Sequence, residues 1–278
     1  MNIDRIVLTT FPGYFFTQVL SLRSIQQYAA GFPIDIIIDD FDLIYWPTYV
    51  EDCKRYLDHC FPNNTFNYYL YSQLHGIKKV KTGGWFRQQL IKMYLDQIVP
   101  GNRWLLVDAD VVLQETPNID SVSAVVREGG PIDIGNRLYV QHILSTQQPW
   151  VVNETEFWCL SSVPFRLIER ELIVKLRQHA EQLHGDFLQH HLDLFETQQL
   201  VAFDPAGKTM IMSEFQLIEI FRNRYYQNPL PIGRSNASKF THSSLKDWKF
   251  ERSWFEQQEI FIPDQYWNSS QTFGKHHV

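Results

Sequence analysis

The sequence has few cysteines and no apolar run long enough to cross a membrane. Its three cysteines, Cys53, Cys60 and Cys159, are scattered over 278 residues, which argues against a disulfide framework or a cysteine-ligated zinc site. A membrane-spanning helix needs roughly 20 consecutive apolar residues. The first residues, MNIDRIVLTTF, are charged at once and do not resemble a signal peptide. We therefore expect a soluble, cytoplasmic protein without stable membrane insertion, in the host cytoplasm if the source is viral.

An excess of basic charge is also absent. The chain has 25 Lys and Arg against 31 Asp and Glu, a net charge of −6, so no global attraction to nucleic acid or anionic membranes is expected. A local basic groove stays possible. The apolar fraction of 44% is ample for a sizeable core and argues against disorder.

The first forty residues follow a strand–helix–strand pattern. Residues 3–9 and 34–38 are apolar strands, and the helix predicted over residues 14–30 lies between them. This order is typical of a parallel sheet, in which ligands lie beyond the carboxyl ends of the strands. We expect Thr9 and Thr10 to contact a nucleotide there. Asp39 could hydrogen-bond its base or ribose, or could be an ordinary solvated strand end.

The segment RWLLVDADVVL, residues 103–113, places two carboxylates after a buried strand. Asp108 and Asp110 flank Ala109, and carboxylates at the end of such a strand are costly unless a cation accompanies them. A divalent cation bound to a diphosphate would meet that requirement, because hard cations prefer oxygen ligands. The alternative is a turn in which aspartates bond the local backbone. The apolar residues on both sides and the lack of Gly or Pro favour the metal site.

A helix is predicted over residues 83–98, directly before this acidic strand. A helix packed on the same sheet could direct Arg87 and Lys92 at a diphosphate near the two aspartates, and cations there would stabilise a departing nucleoside diphosphate. Lys92 could instead be a solvated surface charge.

Three later segments complete the prediction. A strand over residues 151–160 would place Glu154, Glu156 and Trp158 on one face, which suits a sugar as well as a half-exposed strand. A long helix should begin at residues 161–164 and end at Gly185. Ser213 and Gln216 predict a capping box, which makes Glu214 the first residue of the next helix.

Together, the segments GGWFRQQLIK, LLVDADVVL and SEFQLIEIFR resemble those of GT-A fold glycosyltransferases. They are most similar to an uncharacterised bacterial and viral branch, DUF6492-like, whose members carry a G-W-x-R-Q-Q-x-x-K helix, a D-x-D strand end and an S-E-[FY]-x-L segment. The resemblance implies an α/β fold with a Rossmann-like, mixed and mostly parallel sheet flanked by helices. It also implies a nucleoside diphosphate sugar donor and a Mn²⁺ or Mg²⁺ ion.

The same resemblance implies roles for individual residues. Asp108 would face the donor ribose or the metal, Asp110 would be the main metal ligand, and His242 would be a third ligand. Glu214 would be the general base that deprotonates the acceptor, and Arg87 would help to hold the diphosphate. Glu154, Glu156 and Trp158 would lie in the region that meets the acceptor.

The implied catalytic domain covers residues 1–245, with a donor half at about 1–115 and an acceptor half at about 116–245. Residues 246–278 would form an extension that could act as an acceptor lid. The oligomeric state is not indicated.

The predicted function is metal-dependent transfer of a sugar, with a UDP-sugar as the favoured donor, to a hydroxyl acceptor. A glycan is favoured over DNA as the acceptor. Inversion is expected, and retention stays open. The alternatives are a phage or viral enzyme that glycosylates a hydroxymethylated DNA base, a nucleotidyltransferase, and a non-catalytic sugar-binding protein. A nucleotidyltransferase would need a Gly-rich phosphate loop near the start of the chain, and the segment TTFPGY, residues 9–14, is not one.

Overall fold

The computed structural model describes residues 3–11, 15–42, 47–74, 76–77, 84–109, 111, 131–144, 165–202, 204 and 206–226. Several predicted features lie outside these residues: Asp110, Glu154, Glu156, Trp158, His242, the strand predicted over 151–160 and the extension at 246–278. None of the helices within the described ranges is long and apolar enough to span a membrane.

A five-stranded mixed sheet forms the centre of the described chain. Its strands are β1 (Arg5–Thr10), β2 (Ile34–Ile38), β3 (Phe66–Leu70), β4 (Arg103–Asp108) and β5 (Phe165–Glu169), in the order β3-β2-β1-β4-β5. The first four strands are mutually parallel, and β5 pairs with β4 in the antiparallel direction. A small parallel pair, β6 (Leu200–Val201) and β7 (Met210–Ile211), lies apart from this sheet. The predicted α/β fold with a mostly parallel sheet is confirmed.

The helices flank this sheet. They are α1 (Phe15–Tyr28), α2 (Tyr49–Cys60), α3 (Gly84–Lys92), α4 (Leu95–Ile98), α5 (Pro131–Leu144), α6 (Arg170–His184), α7 (Phe187–Glu196) and α8 (Glu214–Phe221), the last followed by a π-helical segment, Arg222–Tyr226.

Strands β1, β2 and β4 are buried on both faces, which explains their largely apolar sequences. Neighbouring residues alternate between two core clusters, so Val7 and Leu106 lie in one cluster while Leu8 and Val107 lie in the other. Helices α1 and α2 contribute to the second cluster, and α3 to α8 contribute to the first. The described chain is therefore a three-layer α/β/α arrangement.

The prediction of one continuous helix over residues 83–98 is wrong, because the structure has two helices there, α3 and α4. At the break, the amides of Met93 and Tyr94 bond carbonyls three residues back. Arg177 of α6 donates to the Met93 carbonyl and pairs with both oxygens of Asp96 at 2.6 and 2.7 Å. A buried arginine from another helix therefore donates to a backbone carbonyl just beyond the end of α3, which stops at Lys92.

The long helix predicted from residues 161–164 is also wrong at its start. Residues 165–169 form β5, and α6 begins only at Arg170. Leu167 pairs with Leu105 and Ile168 with Trp104, and these two adjacent apolar residues enter opposite core clusters. The alternating burial is that of a strand. The predicted end of this helix at Gly185 is confirmed, with a φ of +83° that favours glycine.

Candidate active site at the carboxyl end of the sheet

The strand order reverses between β1 and β4, at the carboxyl ends of these two strands. The chain runs from β1 to β2 and β3 on one side, and β4 lies on the other side of β1. In an open α/β sheet, a ligand typically binds where the strand order reverses in this way. Thr9 and Asp108 are direct neighbours across these two strands. Gln88 of α3 donates from Nε2 to Thr9 Oγ1 at 3.0 Å, so α3 is fixed over the same edge.

Lys92 is the central cation of this site. Its Nζ lies 2.9 Å from Asp108 Oδ1 in an ion pair and donates to Glu214 Oε1 at 3.0 Å. The Lys92 side chain is only 2% exposed, so a solvated surface role for it is wrong. Its ammonium also lies 4.5 Å from the centre of the Phe215 ring. One side chain therefore joins the end of α3, the end of β4 and the start of α8.

The charge state of Lys92 follows from its surroundings. Burial alone lowers the pKa of a lysine, but attraction to Asp108 and Glu214 outweighs burial and raises the pKa of Lys92 above its usual value. A raised folded-state pKa contributes stability that is fully present below the unfolded value and is lost only as pH rises through the folded one. The ion pairs are therefore intact throughout the neutral range.

Arg87 and Asp39 form a second buried ion pair at the end of β2. Arg87 Nε donates to Asp39 Oδ2 at 2.8 Å, and Nη2 lies 2.7 Å from the same oxygen. The Phe41 amide donates to Asp39 Oδ1 at 3.2 Å, and the guanidinium of Arg87 lies 4.7 Å from the Phe41 ring centre. Asp39 is therefore not a solvated strand end. Arg87 of α3 lies at the predicted edge of the sheet, where its guanidinium forms an ion pair with Asp39.

Thr10 does not join this group. Its hydroxyl donates to Gln18 Oε1 at 3.0 Å, and the Tyr49 hydroxyl donates to the same oxygen at 2.7 Å. Both partners belong to the α1–α2 layer, and Thr10 is buried among them. The structure thus brings Thr9 together with the α3 side of the sheet and gives Thr10 a packing role on the other side.

Glu214 begins α8 as predicted, but the predicted capping box is wrong. Ser213 occupies the N-cap position without a side-chain capping bond. The side-chain amide of Gln216 is buried and has no hydrogen-bond partner within the described part of the chain. Glu214 is buried at the helix start and its carboxylate is held by Lys92 instead.

Two residues close to this site were not predicted from the sequence. Arg166 of β5 is buried, with its guanidinium 4.9 Å from the centre of the Phe215 ring that also meets Lys92. Tyr139 of α5 is buried, and burial, followed by the charge of Glu214, raises the pKa of Tyr139. Arg166 was missed because the apolar residues over 167–176 fit helical spacing, so the strand that carries Arg166 was not predicted. Tyr139 was missed because its local sequence indicates only a position in an amphipathic helix.

The charges of the described site are balanced in number. Three carboxylates, Asp39, Asp108 and Glu214, lie with three cations, Arg87, Lys92 and Arg166. Asp108 is the most open of the three, with 29% of its side chain exposed, although Oδ1 is buried against Lys92. Its Oδ2 is therefore the described carboxylate oxygen best placed to meet a hard divalent cation.

The fold and the site together define an α/β protein with a lysine-bridged acidic site at the carboxyl end of a mostly parallel sheet. Residues 18–202 match DUF6492, a family of unknown function, and the chain belongs to this family. None of the curated protein sequences is significantly similar to the chain.

Solved structures that resemble the chain include glycosyltransferases. An apo structure of the bifunctional glycosyltransferase WbbM matches 86% of this chain and 47% of its own, at 10% identity and a TM-score of 0.38. The apo form of the glycosyltransferase GlyE from Streptococcus pneumoniae TIGR4 matches 98% of this chain and 64% of its own, at 11% identity and a TM-score of 0.36. The chain thus spans about half to two thirds of these proteins. At such TM-scores the chemistry has to be inferred from the site itself.

We predict that Lys92→Met lowers the free energy of unfolding by about 3 kcal/mol, because it leaves Asp108 and Glu214 without their shared cation. The deficit should be larger at pH 8 than at pH 5, since protonation of the carboxylates removes the uncompensated charge. Urea unfolding at both pH values measures this effect. The matched control is Lys175→Met, which removes a surface pair between Lys175, 51% exposed, and Glu171 and should cost less than about 0.5 kcal/mol. Equal losses in the two variants would contradict the role of Lys92.

Proposed function

We propose that the chain is a metal-dependent glycosyltransferase that moves a sugar from a nucleoside diphosphate sugar to a hydroxyl acceptor. The observation that supports this best is the position of Asp108. It ends β4 at the switch in strand order, with one oxygen held by Lys92 and part of its side chain exposed. A carboxylate in that position suits a cation bound to a diphosphate.

The proposed metal ligands are Asp108, Asp110 and His242, with Mn²⁺ or Mg²⁺ as the ion. Of these, the structure describes Asp108, and its partly exposed carboxylate at the end of β4 suits a hard divalent cation. The bound ion would offset the negative charge that grows on the diphosphate as the glycosidic bond breaks. Lys92 keeps Asp108 Oδ1 in place and leaves Oδ2 for the ion.

Donor binding is proposed to involve the same edge of the sheet, with a UDP-sugar as the favoured donor. Thr9 lies beside Asp108 and is oriented by Gln88. Arg87 uses Nε and Nη2 for Asp39, and its Nη1 has no partner among the residues that the structure describes. A guanidinium can serve two anions at once because it carries five N–H donors, so Arg87 could hold a phosphate while it remains paired with Asp39.

Glu214 is the proposed general base. It would take the proton of the acceptor hydroxyl as the acceptor oxygen bonds to the anomeric carbon and the nucleoside diphosphate departs. Lys92 binds Glu214 and Asp108 at 3.0 and 2.9 Å, so it fixes the distance between the base and the proposed metal ligand. Inversion is the stereochemical outcome we propose. A glycan acceptor is favoured over DNA because the net charge of −6 does not attract a polyanion.

The donor prediction is tested by thermal shift with UDP-, GDP-, dTDP- and CDP-sugars, each with and without Mn²⁺. At a hundred times its Kd, a ligand adds about 2.7 kcal/mol to the stability of the native state. We expect a Mn²⁺-dependent rise in Tm with one nucleotide, lost in Asp108→Asn and in Asp110→Ala. Asp58→Asn, an exposed position on α2, should respond like the wild type. No rise with any nucleotide in the folded wild type, or a full rise in Asp108→Asn, would refute the proposal.

The general-base prediction is tested with Glu214→Gln, which keeps the shape of the side chain but cannot accept the proton. Sugar transfer should fall about 10²- to 10⁴-fold, while donor binding in the thermal-shift assay stays at the wild-type level. Glu181→Gln, at an exposed position of α6, is the control and should transfer normally. Wild-type transfer by Glu214→Gln would show that another group removes the proton.

A further inference from the structure

Three histidines from three helices converge at a place that the proposed reaction does not use. They are His142 of α5, His184 at the end of α6 and His190 of α7, and all three are half-buried. One ring nitrogen from each lies within 4.8 Å of the other two. The Nε2 atoms of His142 and His190 are 3.0 Å apart. This cluster could not be predicted from the sequence, because the three positions come from three separate helices.

The three rings are stacked on one another. The centre of the His184 ring lies 4.4 Å from that of His190 and 5.0 Å from that of His142, with interplanar angles of 11° and 22°. In a tetrahedral site with Zn–N bonds of about 2.0–2.1 Å, ligand nitrogens are roughly 3.3 Å apart. The 3.0 Å between the Nε2 atoms of His142 and His190 is close to this spacing, and the three ligand nitrogens all lie within 4.8 Å of one another. The imidazoles would turn out of their stack to direct three lone pairs at one ion.

The hydrogen bonding of His184 favours a ligand role. Its Nε2 lies 3.2 Å from the Ile143 carbonyl oxygen, and only a protonated Nε2 can donate to that oxygen. This bond leaves a lone pair on Nδ1. A backbone carbonyl that holds the other ring N–H is the usual support of a histidine that binds a metal, since it fixes both the tautomer and the ring orientation.

The adjacent His191 has a different role, because its Nδ1 donates to the Phe187 carbonyl at 2.7 Å and its Nε2 accepts from the Tyr139 hydroxyl at 2.8 Å.

We propose that His142, His184 and His190 bind a Zn²⁺ ion through three imidazole nitrogens, with water in the fourth position. Imidazole ligands suit Zn²⁺, whereas Mn²⁺ and Mg²⁺ prefer oxygen ligands. The ion would join α5, α6 and α7. This site is independent of the metal proposed at Asp108, and it needs no assumption about glycosyl transfer.

The test uses the full chain freed of metal with a chelator. Zn²⁺ is titrated and then measured by elemental analysis after dialysis, and Co²⁺ serves as a spectroscopic probe of four-coordinate binding. We expect one equivalent of Zn²⁺, a Co²⁺ spectrum of tetrahedral type, and a rise in Tm of about 5 °C or more at saturating Zn²⁺. His184→Gln and His190→Gln should lose all three signals. His59→Gln, at an exposed position of α2, should keep them.

A second control removes the adjacent histidines near the end of the chain, with His276→Gln and His277→Gln combined. This variant should bind Zn²⁺ like the wild type. Loss of binding there, or binding that persists in His184→Gln and His190→Gln, would overturn the proposal. The wild-type titration decides the matter even if a cluster variant fails to fold, because a folded wild type that takes up neither Zn²⁺ nor Co²⁺ has no such site.

Discussion

The buried ion pairs of Lys92 hold together the part of the chain that forms the candidate site. A buried charge without a partner costs several kcal/mol, so Lys92 and Glu214 can be buried only because they are paired, and the partly exposed Asp108 shares the same ammonium. The arrangement also depends on where α3 ends. Arg177 satisfies the Met93 carbonyl and pairs with Asp96, directly after α3 ends at Lys92, the residue that supplies the ammonium. The carboxyl end of β4 and the first turn of α8 are thereby held on the same cation.

Much of the fold follows from local sequence patterns. The strands β1, β2 and β4 and the helix α1 were predictable because each is an apolar segment of the right period, ended by a charge or a glycine. Strand β5 was not, because Leu167, Ile168, Leu172 and Leu176 also fit helical spacing. What makes residues 165–169 a strand is pairing with β4, more than fifty residues earlier in the chain. The break after α3 was not predictable either, because the Arg177 side chain that contacts it lies far away in sequence.

The candidate site was predictable in its residues but not in its contacts. Asp108 and Glu214 could be placed at a strand end and a helix start, and Thr9 at the carboxyl edge of β1. The sequence did not indicate that Lys92 would join both carboxylates, because its contact with Glu214 spans 122 residues. It directed Arg87 at a diphosphate, whereas the structure pairs Arg87 with Asp39. The three-histidine cluster was missed because its members come from three separate helices.

The central claim is that Asp108 binds a divalent cation together with a nucleoside diphosphate. The most direct measurement is the anomalous scattering of Mn²⁺ in crystals grown with UDP and Mn²⁺. The account predicts a manganese peak within coordination distance of both Asp108 and a phosphate oxygen, with the contacts of Lys92 to Asp108 and Glu214 retained. A crystal that contains bound UDP but no manganese at Asp108 would contradict it, and so would manganese found only at the histidine cluster.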